Sequence, residues 1–244
     1  NQLKMLDKGI GGEMSEAKGK LTALLKEKRR IEEQAAAKAK RIEEEKAAIN
    51  EKFTALTDAG VFRQLDWKGA KRQLNALKGD FLSAEGGIEA DVVIRKVDAM
   101  ELVQQIMIRN MKGFVFERGR QLRGMKVLEV NEKEIRLLKR DNKSTTKMNW
   151  PKFYRDCHGN LNELINVYIV RGRRNAKPKL RPKDWCEAMF GVALTMQTIC
   201  SDDPASAKRA EQIAKEAVKQ FDIYKPLAQQ FFPEIDFSTV KAED

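Results

Sequence analysis

Apolar side chains recur at three- and four-residue steps along Leu21, Leu24, Leu25, Ile31, Ala35, Ile42, Ile49, Phe53 and Leu56. They lie in a stretch from residue 13 to about 57 that holds no proline and, after Gly19, no glycine. This spacing lays a narrow stripe along one side of a helix, and the residues between are strong helix formers, so a long N-terminal helix or coiled-coil arm is expected over 1–57. Lys28, Lys38 and Glu45 interrupt a strict heptad. "RIEEQAAAKAK" from Arg30 is followed directly by "RIEEEKAAINE" from Arg41, an 11-residue spacing that keeps a stripe nearly straight on the helix. A solvated helix laced with opposite charges and a dimerisation arm both fit this pattern.

Between 58 and 112 the period stays helical. Phe62, Leu65, Leu74, Leu77 and Phe81 mark an amphipathic segment over 58–85, weakened at Gly69 and Gly79. After an expected break at Gly86 and Gly87, Val93, Val97, Met100, Val103, Met107 and Met111 mark a further helix. Methionines on such a stripe are better explained as core than as an adaptable binding face. The unit 58–112 is expected to pack on the rest of the molecule.

From Phe114 the pattern shifts. "MKVLEV" and "EIRLLK" flank "NEK", and "RDNK" separates the second run from "STTKMNW", which predicts three short antiparallel strands over 113–150. Leu128 and Leu138 add apolar groups opposite Val127 and Leu137, so this meander is expected to be covered on both sides. Together with "NWPKFYRD" it resembles part of a small SH3-like barrel, an analogy that concerns fold and not site. Residues 151–244 return to helix in "PKFYRDC", "NLNELINVYIV", "RPKDWCEAMFGVALTMQTIC", "PASAKRAEQIAKEAVKQF" and "YKPLAQQFFPEI". Asn160, Pro182 near Asp184, and Asp203 with Pro204 supply start signals. The fold class is therefore mainly α with a small antiparallel β-meander (α+β): an arm, a helical segment, the meander and a C-terminal helical layer.

Charge adds one element to this picture. The net charge of +11 divides into +3 over 1–57, zero over 58–110, +13 over 111–183 and −5 over 184–244. Seven basic residues crowd into 171–183, and Arg171, Arg173, Arg174, Lys177, Lys179 and Arg181 form the candidate docking face. Part of this loop is accounted for by cations at a helix C-terminus, with Gly172 as the stop. The concentration of charge implies an acidic protein or another polyanionic surface as partner. Nucleic acid is the alternative, because Trp150, Phe153, Tyr154 and Tyr168 accompany the basic segment 118–183 and are types that stack on bases.

Catalytic and metal chemistry find little support. His158, the single histidine, is adjacent to Cys157, and neighbouring side chains diverge too far to share the proton that activates a thiol. Zinc would need Cys157, His158, Cys186 and Cys200 to converge without a C-x-x-C knuckle. Gly119 and Gly124 lack the Lys-Ser/Thr of a phosphate loop, since Met125 follows Gly124. Carboxylates at Asp184 and Glu187, or Asp202 and Asp203, serve as helix caps. The three cysteines are expected to be buried free thiols. No catalytic residue, metal ligand or cofactor is assigned.

The expected function is that of a non-enzymatic interaction or scaffold protein, a helical stalk that presents a basic α+β docking module and self-associates through the arm. No apolar run reaches the roughly 20 residues of a membrane span. The chain begins at Asn1 rather than Met, on which the extracytoplasmic side of a bacterial envelope is the expected compartment over the cytoplasm.

Overall fold

The structure is a computed structural model that describes residues 2–116, 122–157, 181–200 and 204–241, with side chains over 14–116, 122–154, 181–200 and 205–241. In chain order the elements are α1 (Gln2–Asp58), α2 (Trp67–Gly79), α3 (Ala84–Asn110), β1 (Lys126–Val130), β2 (Glu134–Leu138), β3 (Thr145–Asn149), α4 (Trp150–Cys157), α5 (Pro182–Thr198), α6 (Pro204–Gln220), a 3-10 turn (Asp222–Tyr224) and α7 (Lys225–Phe231). A mainly helical fold with one small antiparallel sheet is what the periodicities predict.

Helix α1 extends further than its glycine-free stretch. Gly9, Gly11 and Gly12 all lie inside it. Each glycine costs about 1 kcal/mol relative to alanine, but adding residues to an existing helix is far easier than nucleating one. From residue 14 to 41 every side chain is exposed, and only from Ile42 onward does the helix meet the rest of the molecule, where Ile49 and Leu56 are fully or nearly buried.

The segment 58–85 is not one helix. Gly60 and Leu65 take positive φ, of 71° and 60°, and fold the chain so that buried Phe62 tucks under α1 before α2 begins. Asp66 starts α2 by accepting from the Gly69 amide at 2.9 Å. Conversely, Gly86 and Gly87 do not break α3. Ser83 caps that helix through the Gly86 amide, and Gly86 lies against Glu45 of α1, where a Cβ would come within 2.8 Å of the Glu45 Cβ. The glycine is there so that two helices can approach closely.

Helix α3 is the central strut and touches α1, α2, α5, α7 and β1. Val93, Val97, Met100, Val103, Met107 and Met111 are all buried, so the methionine stripe is core. Against it lies α5, buried from Ala188 through Met196, and α6 covers α5 with Ala210, Ile213, Ala214, Ala217 and Val218. Cys186 and Cys200 are buried free thiols. The Cys157 side chain, the "NLNELINVYIV" segment and His158 lie outside the described residues.

The sheet has the order β1-β2-β3, and both pairings are antiparallel. Val127 pairs with Leu137 and Val130 with Ile135, although Val127 and Val130 are three apart and should point to opposite faces. A bulge between Val127 and Glu129 takes up Leu128 and returns Val130 to the inner face. The broken alternation in "MKVLEV" therefore marks this bulge. Helix α4 then closes the sheet with an aromatic cluster of Trp150, Phe153, Tyr154 and Phe116, all buried.

Candidate docking surface

The two ends of the meander differ in charge because antiparallel pairing gathers residues that are distant in sequence. β1 starts, β2 ends and β3 starts at the same end, so Lys126 is level with Leu138 and Leu138 with Thr145. Arg123 leads into that end, and the turn from Lys139 to Ser144 closes it. Among the described residues, five cationic side chains, of Arg123, Lys126, Lys139, Arg140 and Lys143, thus gather there, all exposed, with one carboxylate, Asp141. The Arg140 guanidinium donates through Nε to the Arg123 carbonyl oxygen, which ties the turn to the strand that precedes it. Gly124, at φ 76°, allows this approach, since a Cβ there would lie 3.2 Å from the Arg140 Cγ.

The carboxylate of Asp141 is engaged by the turn itself. It accepts from the Lys143 and Ser144 amides, both at 2.9 Å, and from the Ser144 hydroxyl. These hydrogen bonds, with a smaller contribution from the Lys139 charge, hold its carboxyl down to about 2, so it stays ionised while occupied by the turn. Asn142 adopts φ 55° at the tip, a conformation that asparagine tolerates.

The outer face and far end of the sheet are balanced instead. Arg136 pairs with Glu129 at 3.6 Å and Lys147 with Glu134 at 2.7 Å. Asn131, Glu132, Lys133 and Glu134 line a shallow depression of about 500 Å³ at the opposite turn. The basic excess of the meander is thus concentrated at one end by its topology.

Of the six basic residues nominated from the sequence, Arg171, Arg173, Arg174, Lys177 and Lys179 lie outside the described residues. Arg181 is described, and its guanidinium grips Asp184 in the first turn of α5 through Nε at 2.9 Å and Nη2 at 3.3 Å. Arg123, Lys126, Lys139, Arg140 and Lys143 do not stand out as a group in the sequence, because two separate segments, 123–126 and 139–143, supply them. The signal for them was the strand-turn-strand pattern itself, whose pairing sets turn β2-β3 beside the start of β1.

The aromatic residues offered for base stacking are placed elsewhere. Trp150, Phe153 and Tyr154 are at most 1% exposed and pack on one another, so none presents a face to a nucleobase. Tyr168 lies outside the described residues. Among the described residues no group of three histidine, cysteine, aspartate or glutamate side chains converges as a metal site, and no helix is long and apolar enough to cross a membrane. Comparison with protein-family models, with curated proteins and with solved structures finds no match for this chain.

Proposed function

We propose that this chain is a non-enzymatic interaction or scaffold protein in which α1 is a stalk and the cationic end of the meander docks an acidic protein surface. The observation that carries this reading is that Arg123, Lys126, Lys139, Arg140 and Lys143 gather at one end of the sheet, where the carboxylate among the described residues, Asp141, is already engaged by the turn. Exposed cations gathered at one turn raise the local concentration of anionic partners and speed their association. In a bacterial envelope the same stalk would hold the module away from its point of attachment.

The test uses the intact chain and a variant with Arg123, Lys126, Lys139 and Lys143 changed to glutamine, leaving Arg140 to hold the turn. Poly-glutamate and duplex DNA serve as probes, with salt varied from about 50 to 200 mM. Binding of poly-glutamate that is lost in the variant supports docking of an acidic protein. Preferential binding of DNA, weakening about a hundredfold over that salt range if four phosphates are contacted, would replace it with the nucleic-acid reading. Equal binding by the variant removes the sheet end from consideration. A second variant neutralising Arg171, Arg173, Arg174, Lys177, Lys179 and Arg181 then separates the loop's contribution.

A further inference from the structure

The apolar row that α1 buries in the module continues bare along the arm. Ile42, Ile49 and Leu56 fall at seven-residue steps, and the same steps run back through Ala35, Lys28 and Leu21 to Met14. Within the module Ile49 and Leu56 of this row are core, at 0% and 3% exposure, whereas on the arm Leu21 is 56% exposed, Leu24 68% and Ile31 56%. Intrahelical pairs such as Glu16 with Lys20 at 2.7 Å and Glu27 with Arg30 at 2.6 Å border the row with charge. A purely solvated stalk has no need of leucines at the two central positions of a heptad.

The charges say what covers the row and in which direction. In a parallel, in-register pair, Lys28 would face Lys28 and Lys38 would face Lys38 in the seam, while Glu27 would flank Glu32. Every one of these contacts is repulsive. Turning one helix around resolves all three. With Leu21 level with Leu24 of a second copy, Met14 is level with Ile31 and Lys28 with Ala17, so no two seam lysines meet. The flanking position that faces its own kind in an antiparallel pair then sets Lys20 beside Glu27 of the second copy, twice by symmetry. In this register Gln2 of one chain is level with residue 43 of the other, which is where the exposed arm ends and the module begins.

We infer that α1 pairs antiparallel with α1 of a second copy of this chain, Leu21 against Leu24, giving a two-fold dimer with a module at each end. The inference rests on the reading of α1 as a stalk and makes that stalk a spacer between two docking ends. At about 1.5 Å rise per residue the two modules stand roughly 60 Å apart. Such a dimer would engage a partner that offers two acidic sites more tightly than either module alone.

Sedimentation equilibrium of the full chain from about 1 to 100 μM reads the association. The expected result is twice the chain mass at the upper end, and monomer for the variant carrying Leu21→Asp and Leu24→Asp. Glu27→Lys separates the two orientations. In the antiparallel pair it sets a second ammonium group beside Lys20 and weakens association about tenfold or more, and adding Lys20→Glu restores it. In a parallel pair Glu27→Lys instead relieves the clash with Glu32 and tightens association, which would overturn the inference. A full chain that stays monomeric at the highest concentration would overturn it too and assign the row to a partner of different sequence. All these substitutions lie at exposed positions, so near-ultraviolet circular dichroism of the module stays unchanged. The poly-glutamate experiment is read separately: a dimer that ignores poly-glutamate refutes the docking end and leaves the pairing standing.

Discussion

Gly191 of α5 lies directly on the main chain of α3 at Ala99. A Cβ placed on Gly191 would fall inside the van der Waals envelope of the Ala99 carbonyl oxygen and 2.9 Å from Val103 Cγ2. This close helix crossing in the core therefore depends on one missing methyl group. Gly191→Ala should destabilise the protein by about 2 kcal/mol despite alanine's better helix propensity, because overpacking outweighs the propensity gain. Thermal unfolding would show this as a fall in Tm of about 4–8 °C. An unchanged Tm would mean that α3 and α5 have room to separate at this crossing.

Glu45 holds the α2–α3 connection to α1. Its carboxylate accepts from the Leu82 amide at 2.8 Å, the Ser83 amide at 3.1 Å and the Ser83 hydroxyl. The Ser83 hydroxyl, followed by the Leu82 amide, lowers the Glu45 pKa below its usual 4.5. A carboxyl lowered on folding stabilises the fold above its unfolded pKa and loses that contribution as pH falls through the folded value. Unfolding midpoints in denaturant should therefore drop below about pH 4.5 more steeply for the natural chain than for Glu45→Ala. Hydrogen exchange at Leu82 and Ser83 should also accelerate in the variant.

Lys96 is 8% exposed on α3, with its ammonium 6.0 Å from the centre of the Phe53 ring. Burial lowers its pKa, and the charges of Glu234 and Glu89 only partly oppose this. Between the folded pKa and the unfolded value near 10.5 the unfolded chain binds the extra proton, so stability rises with pH in that window. Below it the buried charge is a constant burden. Lys96→Met should raise stability at about pH 7 by about 1 kcal/mol, with a smaller advantage at about pH 10 and above. A lower Tm for the variant at neutral pH would instead show that the cation-ring contact is the larger effect.

The Cys186 thiol is pushed up to about 12, first by burial and then by the Glu187 charge. Since the thiolate is the reactive species, native protein at about pH 8 should take no iodoacetamide at Cys186, nor at buried Cys200. Peptide mapping after a labelling pulse should find both modified only once denaturant is present. Rapid labelling of native Cys186 would mean that α5 and α6 separate on the timescale of the pulse.

The types of element, the β-meander and the methionine core stripe could all be read in the chain because periodicity is a local property. A helix or strand with one buried face must repeat its apolar residues at its own period, whatever it packs against. The misjudged boundaries share a cause. Gly86 reads as a breaker until α1 is seen beside it, and "LEV" reads as failed alternation until pairing with β2 makes Leu128 a bulge. The buried thiols at 186 and 200 were likewise legible, since Cys186 lies in a long apolar helical run and Cys200 just past its end.

The arm, its apolar row and the excess of positive charge over 111–183 are all properties of the chain in one dimension. Where that row ceases to be core is a matter of folding, because burial depends on the rest of the module packing back against Ile49 and Leu56. Strand pairing in the same way brings Arg123, Lys126, Lys139, Arg140 and Lys143 to one end while Arg136 and Lys147 are neutralised on the sheet face. Charge can be counted along a chain, but the field it makes depends on distances that close only when distant segments pair.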